Sequence, residues 1–221
     1  MEDFMNAMDQ PEAPDVEQVL RHNSALRNRH VAGRLAIGVP LFVSPFVLYS
    51  LGVPDSFFTM LPLVPGGFVL IFLALRLIHG RRLGVCRKVL HTYPLEYRTR
   101  VERKAEGDRN GEAWKYLGTI HTVKLSSRGQ HGAPRMRAVN ASTVRRWPKV
   151  AEDGGAWFAG DPAFGGVMIV PGSNDMLFMQ PASWAKFEKE RAQADPARIA
   201  RAQQAGISQL LERDPRIPLG L

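Results

Sequence analysis

The chain has 221 residues and a formal net charge of +8 at pH 7, which favours acidic or anionic partners. One cysteine excludes an intrachain disulfide and agrees with a reducing compartment. With no His-x-x-x-His pair beside it, a metal site is not expected.

The N-terminal segment 1–33 is predicted to be a tail followed by a short amphipathic helix. Met1–Pro14 is acidic and has neither a basic start nor an early apolar core, so it is not a signal peptide. Asp15 is a candidate helix N-cap. Two interpretations stay open: a helix lying on the inner leaflet through Arg21, Arg27 and Arg29, or a lead-in to a membrane span.

Segment 34–91 is predicted to be a transmembrane hairpin with a juxtamembrane helix. Two apolar runs, Leu35–Val53 and Phe57–Ile78, are separated by Pro54-Asp55-Ser56 and carry no charge before Arg76. Each run is long enough for the roughly 20 residues that a helix needs to cross a hydrocarbon core of about 30 Å. The alternative is a buried helical hairpin, but neither run has the polar stripe of a soluble core helix.

Basic residues predict the orientation of this hairpin. They flank both runs, whereas the connector has no Lys or Arg, so both termini are expected in the cytoplasm of a multi-pass protein of the cell membrane. The flanking residues are Arg21, Arg27, Arg29, Arg34, Arg76, Arg81, Arg82, Arg87 and Lys88. Cys86, in the juxtamembrane helix, is interpreted as a small apolar residue, with acylation as the alternative.

Residues 92–181 are predicted to form a cytoplasmic β domain. Apolar and charged residues alternate from Leu95 to Glu102, and further strands are expected at Trp114–Ser126 and Met136–Asn140. A three-strand meander follows at Ala156–Ala159, Gly166–Val170 and Met176–Met179, with turns between the strands. The fold class is therefore α+β, with a small antiparallel barrel or sandwich of OB or SH3-like size beside the hairpin. One shared core is expected from Trp114, Trp157, Phe158, Phe164 and Phe178.

Segment 182–221 is predicted to be helical with a C-terminal tail. One amphipathic helix is expected at Ala182–Ala194, and Asp195-Pro196 marks the start of another that reaches about Arg213.

The motifs do not predict catalysis. Gly160–Gly166 (GDPAFGG) lacks the spacing and the lysine of a phosphate loop, so a tight turn around Asp161 is the preferred interpretation. No catalytic residue, cofactor or metal ligand is assigned.

Charge gives the sharpest candidate surface. No acidic residue occurs from Ala113 to Ala151, although eight basic residues do, and this segment is expected to face the inner leaflet. Alternatives are an acidic partner, nucleic acid or a plain solvated face. The candidate lipid- or partner-binding residues are Arg81, Arg82, Arg135, Arg137, Arg145, Arg146 and Lys149.

The Tyr93-Pro94 entry, the segment WFAGDPAFGG from Trp157 to Gly166 and an Arg- and Ala-rich composition carry a resemblance. In these features the chain resembles bacterial two-pass membrane proteins with a small cytoplasmic β domain. Its architecture is also similar to that of membrane NfeD-type proteins, whose barrel is an OB fold. Neither resemblance implies an activity or a residue role.

These observations predict an integral membrane scaffold or accessory subunit that is not an enzyme. Its expected partners are the bilayer and a protein partner or a second copy, with nucleic acid disfavoured. The alternatives are a membrane-bound enzyme using Asp161 and arginines on an anionic substrate, and a membrane-tethered nucleic-acid binder.

Overall fold

The computed structural model describes residues 11–54, 56–104, 120–126, 133–141 and 147–208, without the side chains of residues 57, 58, 72, 74–79 and 104. Its helices are α1 (Val16–Ser50), α2 (Phe57–Met60), α3 (Leu63–Thr92), α4 (Val150–Gly154), α5 (Glu188–Ala192) and α6 (Pro196–Gln204). Its strands are β1 (Glu96–Arg98), β2 (Arg100–Lys104), β3 (Ile120–Ser126), β4 (Arg135–Asn140), β5 (Ala156–Asp161), β6 (Gly165–Ile169) and β7 (Met176–Pro181).

Helix α1 joins the predicted amphipathic helix and the first apolar run without a break. Its N-cap is Asp15, as predicted, and the Asp15 carboxylate accepts the Glu17 N–H at 2.9 Å. Val19 and Leu20 are buried against the sheet, and the Asn23 side-chain amide donates to the Asn174 carbonyl at 2.9 Å. The start of α1 is therefore docked on the β domain, which favours the lead-in interpretation over a helix lying on a membrane surface.

The second apolar run is not one helix, contrary to the prediction. It is divided into α2 and α3 by a turn at Leu61-Pro62. Helix α3 then continues through Pro65, which is tolerated because Pro65 lies in the first turn, where backbone N–H groups lack helical acceptors.

Helices α1 and α3 pack antiparallel, and glycines set their close approach. A Cβ atom added at Gly66 would lie 2.6 Å from the Phe42 backbone nitrogen, and one at Gly38 would lie 2.7 Å from a Val69 methyl carbon. Small residues at such crossings let two helix backbones approach each other, as they do in membrane helix pairs.

The far end of this hairpin exposes apolar side chains. Apart from Val150, every exposed large apolar side chain among the described residues lies between Leu35 and Ile71. Within the described part of the chain, one helix, α1, is long and apolar enough to cross a membrane, and only 11% of its most apolar 18-residue stretch is buried. A core helix of a soluble protein would have this stretch largely buried.

The strands form a nearly closed antiparallel barrel. Their order in the sheet is β1-β5-β6-β7-β4-β3-β2, and every neighbouring pair is antiparallel. Strands β1 and β2 are the two ends of this order, yet only Thr99 separates them in the chain. The sheet must therefore curl until its ends meet, which confirms the α+β class and the barrel-like β domain.

Side-chain alternation divides the apolar residues between two cores. Phe158, Met168 and Leu177 point into the barrel with Val123 and Met136. Their neighbours on β5, β6 and β7 point outward against the helices. This outer core includes Trp157, Val167, Ile169, Met176 and Phe178 from the strands, Val19 and Leu20 from α1, Cys86, Val89 and Leu90 from α3, and Ala202 from α6.

Two sequence predictions are corrected by this arrangement. The aromatic residues do not share one core, because Phe158 is inside the barrel whereas Trp157, Phe164 and Phe178 pack outside it, and Trp114 lies outside the described residues. The last described helix ends at Gln204, well before Arg213, because Gly206 adopts a φ of +73° just beyond it.

The Gly66 contact generates a stability prediction with a control one residue away. Gly66→Ala places a methyl group against the α1 backbone and should destabilise the detergent-solubilised chain by about 1–2 kcal/mol in thermal unfolding. Gly67 has nothing within 4 Å of an added Cβ, so Gly67→Ala should leave stability unchanged or slightly raised. Equal losses in both variants would contradict the antiparallel packing.

Candidate functional site

The outward side of β3 and β4 forms the candidate site, which we call the basic face and define by Lys124, Arg135 and Arg137. The strand register places Lys124 directly opposite Arg135, and Thr122 opposite Arg137. Glu102 of β2 lies opposite Lys124 on the other side. Two cations thus face each other on neighbouring strands, an arrangement that lowers sheet stability.

A groove of about 200 Å³ lies at this face, lined by Glu102, Arg103, Thr122, Lys124 and Arg135. The Glu102 carboxylate accepts from the Arg100 guanidinium at 2.8 Å, so part of its charge is already neutralised. Within the described residues, no ion pair reaches Lys124, Arg135 or Arg137. The groove therefore has excess positive charge.

The basic face lies on the side of the barrel away from the hairpin. Helix α3 packs on β5 and β6. The strand order closes into a ring when β1 and β2 are counted as one bent strand. In that ring β3 lies three strands from β6 in either direction, so the two strands are on opposite sides of the barrel. The helices that cover β5–β7 therefore lie on the other side of the barrel from β3, on whose outer side Lys124 is half-buried and Thr122 is buried.

An aromatic cluster lies on the inner face of the same strands, because Arg103 and His121 alternate with Glu102 and Thr122. The Arg103 guanidinium lies 5.7 Å from the Trp147 ring centroid, and the His121 ring lies 5.0 Å from it. Burial and the Arg103 charge lower the pKa of His121 to about 4. The imidazole is therefore neutral at neutral pH and adds no charge to the groove.

The structure brings together only some of the predicted binding residues. Arg135 and Arg137 share the basic face, whereas Lys149 is exposed at the start of α4, which packs on β2. Arg81 is exposed on α3, but Arg82 is only 3% exposed and donates to the Asn140 carbonyl at 3.2 Å. Arg82 thus docks α3 on the barrel, and Arg145 and Arg146 lie outside the described residues.

The groove includes residues that the sequence did not assign to a site. Glu102 and Arg103 are far from Arg135 along the chain and Lys124 lies on the strand before it, and only the β2–β3–β4 register makes them neighbours. The sequence contains only a weak indication of this groove, namely charged residues at alternating positions of three predicted strands.

The Asp161 turn has a structural role in the described chain. The Asp161 carboxylate accepts the Ala163 N–H at 2.9 Å, as expected for a tight turn. It also binds Arg198 of α6 through both oxygens, with an Nη2–Oδ1 distance of 2.7 Å. The same guanidinium bonds Glu190 at 2.6 Å, and its hydrogen bonds to Asp161 raise the pKa of Arg198 further above its ordinary value.

A second arginine anchors the same C-terminal helices. Arg191 donates to the carbonyls of Ala163 and Trp184 at 3.1 and 2.6 Å, and it stacks 3.6 Å above the Trp184 ring centroid. Asp161 and its turn are therefore the attachment point of α5 and α6.

Two nearby groups with potential chemistry are held in their neutral forms. Burial raises the pKa of the Cys86 thiol to about 12, and it raises the pKa of Tyr93 to about 12 as well. Cys86 is fully buried in the outer core, as expected for a small apolar residue and not for an accessible acylation site. Among the described residues, no group of three His, Cys, Asp or Glu side chains is placed to hold a metal ion.

Comparison with known proteins adds no functional assignment. No protein-family model, no curated protein and no solved structure matches the chain. The assignment of function therefore depends on the geometry alone.

The Asp161–Arg198 pair generates the next prediction. Arg198→Ala leaves the buried Asp161 carboxylate without its cation and should lower the free energy of unfolding by about 2–3 kcal/mol, since Arg198 itself is partly exposed. Arg201→Ala, on the same helix but without an ion pair among the described residues, is the control and should cost less than about 0.5 kcal/mol. Chemical denaturation measures both, and similar costs would contradict the role of the pair.

Proposed function

We propose that the protein is an integral membrane scaffold or accessory subunit. Helices α1 and α3 form a two-pass anchor, both termini are cytoplasmic, and the barrel presents its basic face to an acidic partner. The supporting observation is the exposed apolar surface between Leu35 and Ile71, which contrasts with the well-buried barrel.

The size of this surface favours insertion into a bilayer. Its members include Ile37, Phe46 and Phe68, which are 61%, 57% and 57% exposed. Contiguous apolar patches of this kind are rare on soluble monomers and are typical of surfaces that meet lipid or another protein. Charged side chains are absent from Leu35 to Ser50 in α1, which agrees with a lipid environment.

The length of the hairpin supports a full crossing of the bilayer, with no apolar length to spare. The uncharged part of α1 from Leu35 to Ser50 is about 24 Å long at 1.5 Å per residue, slightly less than a typical hydrocarbon core. The tip beyond it carries exposed Leu51, Met60 and Leu61, which extend the apolar length. A locally thinned bilayer accommodates the remaining difference.

The connection between anchor and barrel supports a scaffold with fixed geometry. Helix α3 is continuous from Leu63 to Thr92, and its last turns bury Cys86, Val89 and Leu90 in the outer core. The barrel is therefore attached by a packed helix and not by a flexible linker. Since the basic face is opposite the packed face, an acidic partner is favoured over the headgroups around the hairpin.

The enzymatic alternative receives less support from the site. Both Asp161 oxygens are already hydrogen-bonded to Arg198 and the Ala163 N–H, so this carboxylate is not directed at a substrate. The basic face has cations but no acid–base pair or activated nucleophile among its described residues.

The proposed topology is tested by reporter fusions. A reporter that is active only in the cytoplasm should work when fused after Leu221 or before Met1, and should fail when inserted at Gly52, because the Arg-rich ends stay inside. The chain should also remain in the membrane after alkaline carbonate washing. An active reporter at Gly52, or release of the chain by carbonate, would contradict the two-pass anchor.

A further inference from the structure

The groove on the basic face retains an unfavourable arrangement of charges. Lys124 and Arg135 are directly opposed on β3 and β4, and both line this groove. The one acidic residue among the described lining, Glu102, is shared with Arg100. Such a cluster lowers the stability of the empty sheet, and an anion bound between the cations would remove that repulsion.

The donors in the groove suit a phosphate group. Arg135 offers a planar guanidinium, which matches the geometry of phosphate oxygens, and Lys124 supplies a compact charge directly beside it on β3. The groove volume of about 200 Å³ fits a small phosphorylated molecule, whereas a folded acidic partner would contact only its rim.

Glu102 would influence which anions bind in the groove. It is exposed at the edge of the groove and would repel a bare inorganic anion. A carboxylate accepts hydrogen bonds only, so it favours a ligand with a hydroxyl group close to the phosphate. From this combination we propose that the groove binds a hydroxyl-bearing phosphomonoester or phosphodiester, either as a soluble polyol phosphate or as a lipid headgroup of that chemistry.

The phosphate-binding proposal rests on the proposed function only in that both use the basic face. It does not depend on the two-pass anchor, which the fusions and the carbonate wash test separately. Loss of groove binding with intact membrane retention would therefore refute this inference alone.

The test uses the full chain in nanodiscs of phosphatidylcholine, titrated with sn-glycerol 3-phosphate and separately with inorganic phosphate by isothermal titration calorimetry. Saturable binding of glycerol phosphate is expected with a dissociation constant on the order of 1 mM or tighter. Inorganic phosphate should bind several-fold more weakly. No saturable binding of glycerol phosphate would overturn the proposal.

Variants locate the site. Lys124→Gln combined with Arg135→Gln should weaken glycerol phosphate binding at least tenfold, while Arg87→Gln, an exposed arginine of α3 outside the groove, should leave it unchanged. The double variant should unfold at the same temperature as the parent chain or higher, because it removes the opposed charges. Glu102→Gln should abolish the preference for glycerol phosphate over phosphate. Equal binding by the double variant and the parent chain would overturn the proposal.

A further titration in the presence of a lipid identifies the source of the ligand. The glycerol phosphate titration is repeated in nanodiscs that contain phosphatidylglycerol, whose headgroup carries the same chemistry. An unchanged titration supports a soluble polyol phosphate, in line with a groove opposite the hairpin. Competition by the phosphatidylglycerol discs supports a headgroup as the ligand.

Discussion

Helix α3 determines how the apolar hairpin and the barrel are joined, because its two ends lie in different environments. Near its start, Gly66 packs against α1 while Phe68 and Ile71 are exposed. Near its end, Val89 and Tyr93 are buried in the outer core. One continuous helix thus couples the apolar hairpin to the barrel, and the orientation of the barrel follows from the register of this helix.

This coupling explains why three strands of the barrel are buried on both faces. Strands β5, β6 and β7 supply one set of side chains to the barrel interior and another to the helical layer. The Asp161–Arg198 pair and Arg191 then hold α5 and α6 on the same side. Lys124, Arg135 and Arg137 lie on the outer side of β3 and β4, so the helical layer and the basic face occupy different sides of one barrel.

Sequence patterns predicted the local elements better than their assembly. The β5–β7 meander was predicted and is confirmed, because short apolar runs between turn residues specify strands directly. The separation of Trp157 from Phe158 into different cores was not predicted, although the two residues are adjacent, since the double burial of β5 depends on distant helices. Likewise Arg82 was predicted to bind lipid or a partner as part of a basic cluster, whereas it is buried one turn before Cys86 and donates to the Asn140 carbonyl of the barrel. The groove around Lys124 depends on strand register, which composition does not reveal.

Hydrogen–deuterium exchange of the chain in nanodiscs measures whether α3 is continuous between the hairpin and the barrel. Backbone amides that stay in a packed helix exchange slowly, whereas those of a hinge open and exchange fast. The structure predicts slow exchange without interruption from Phe68, through Gly80 and Gly84, to Val89. Fast exchange confined to Gly80–Gly84, with slow exchange on both sides, would show that the barrel moves independently of the hairpin and would contradict the account.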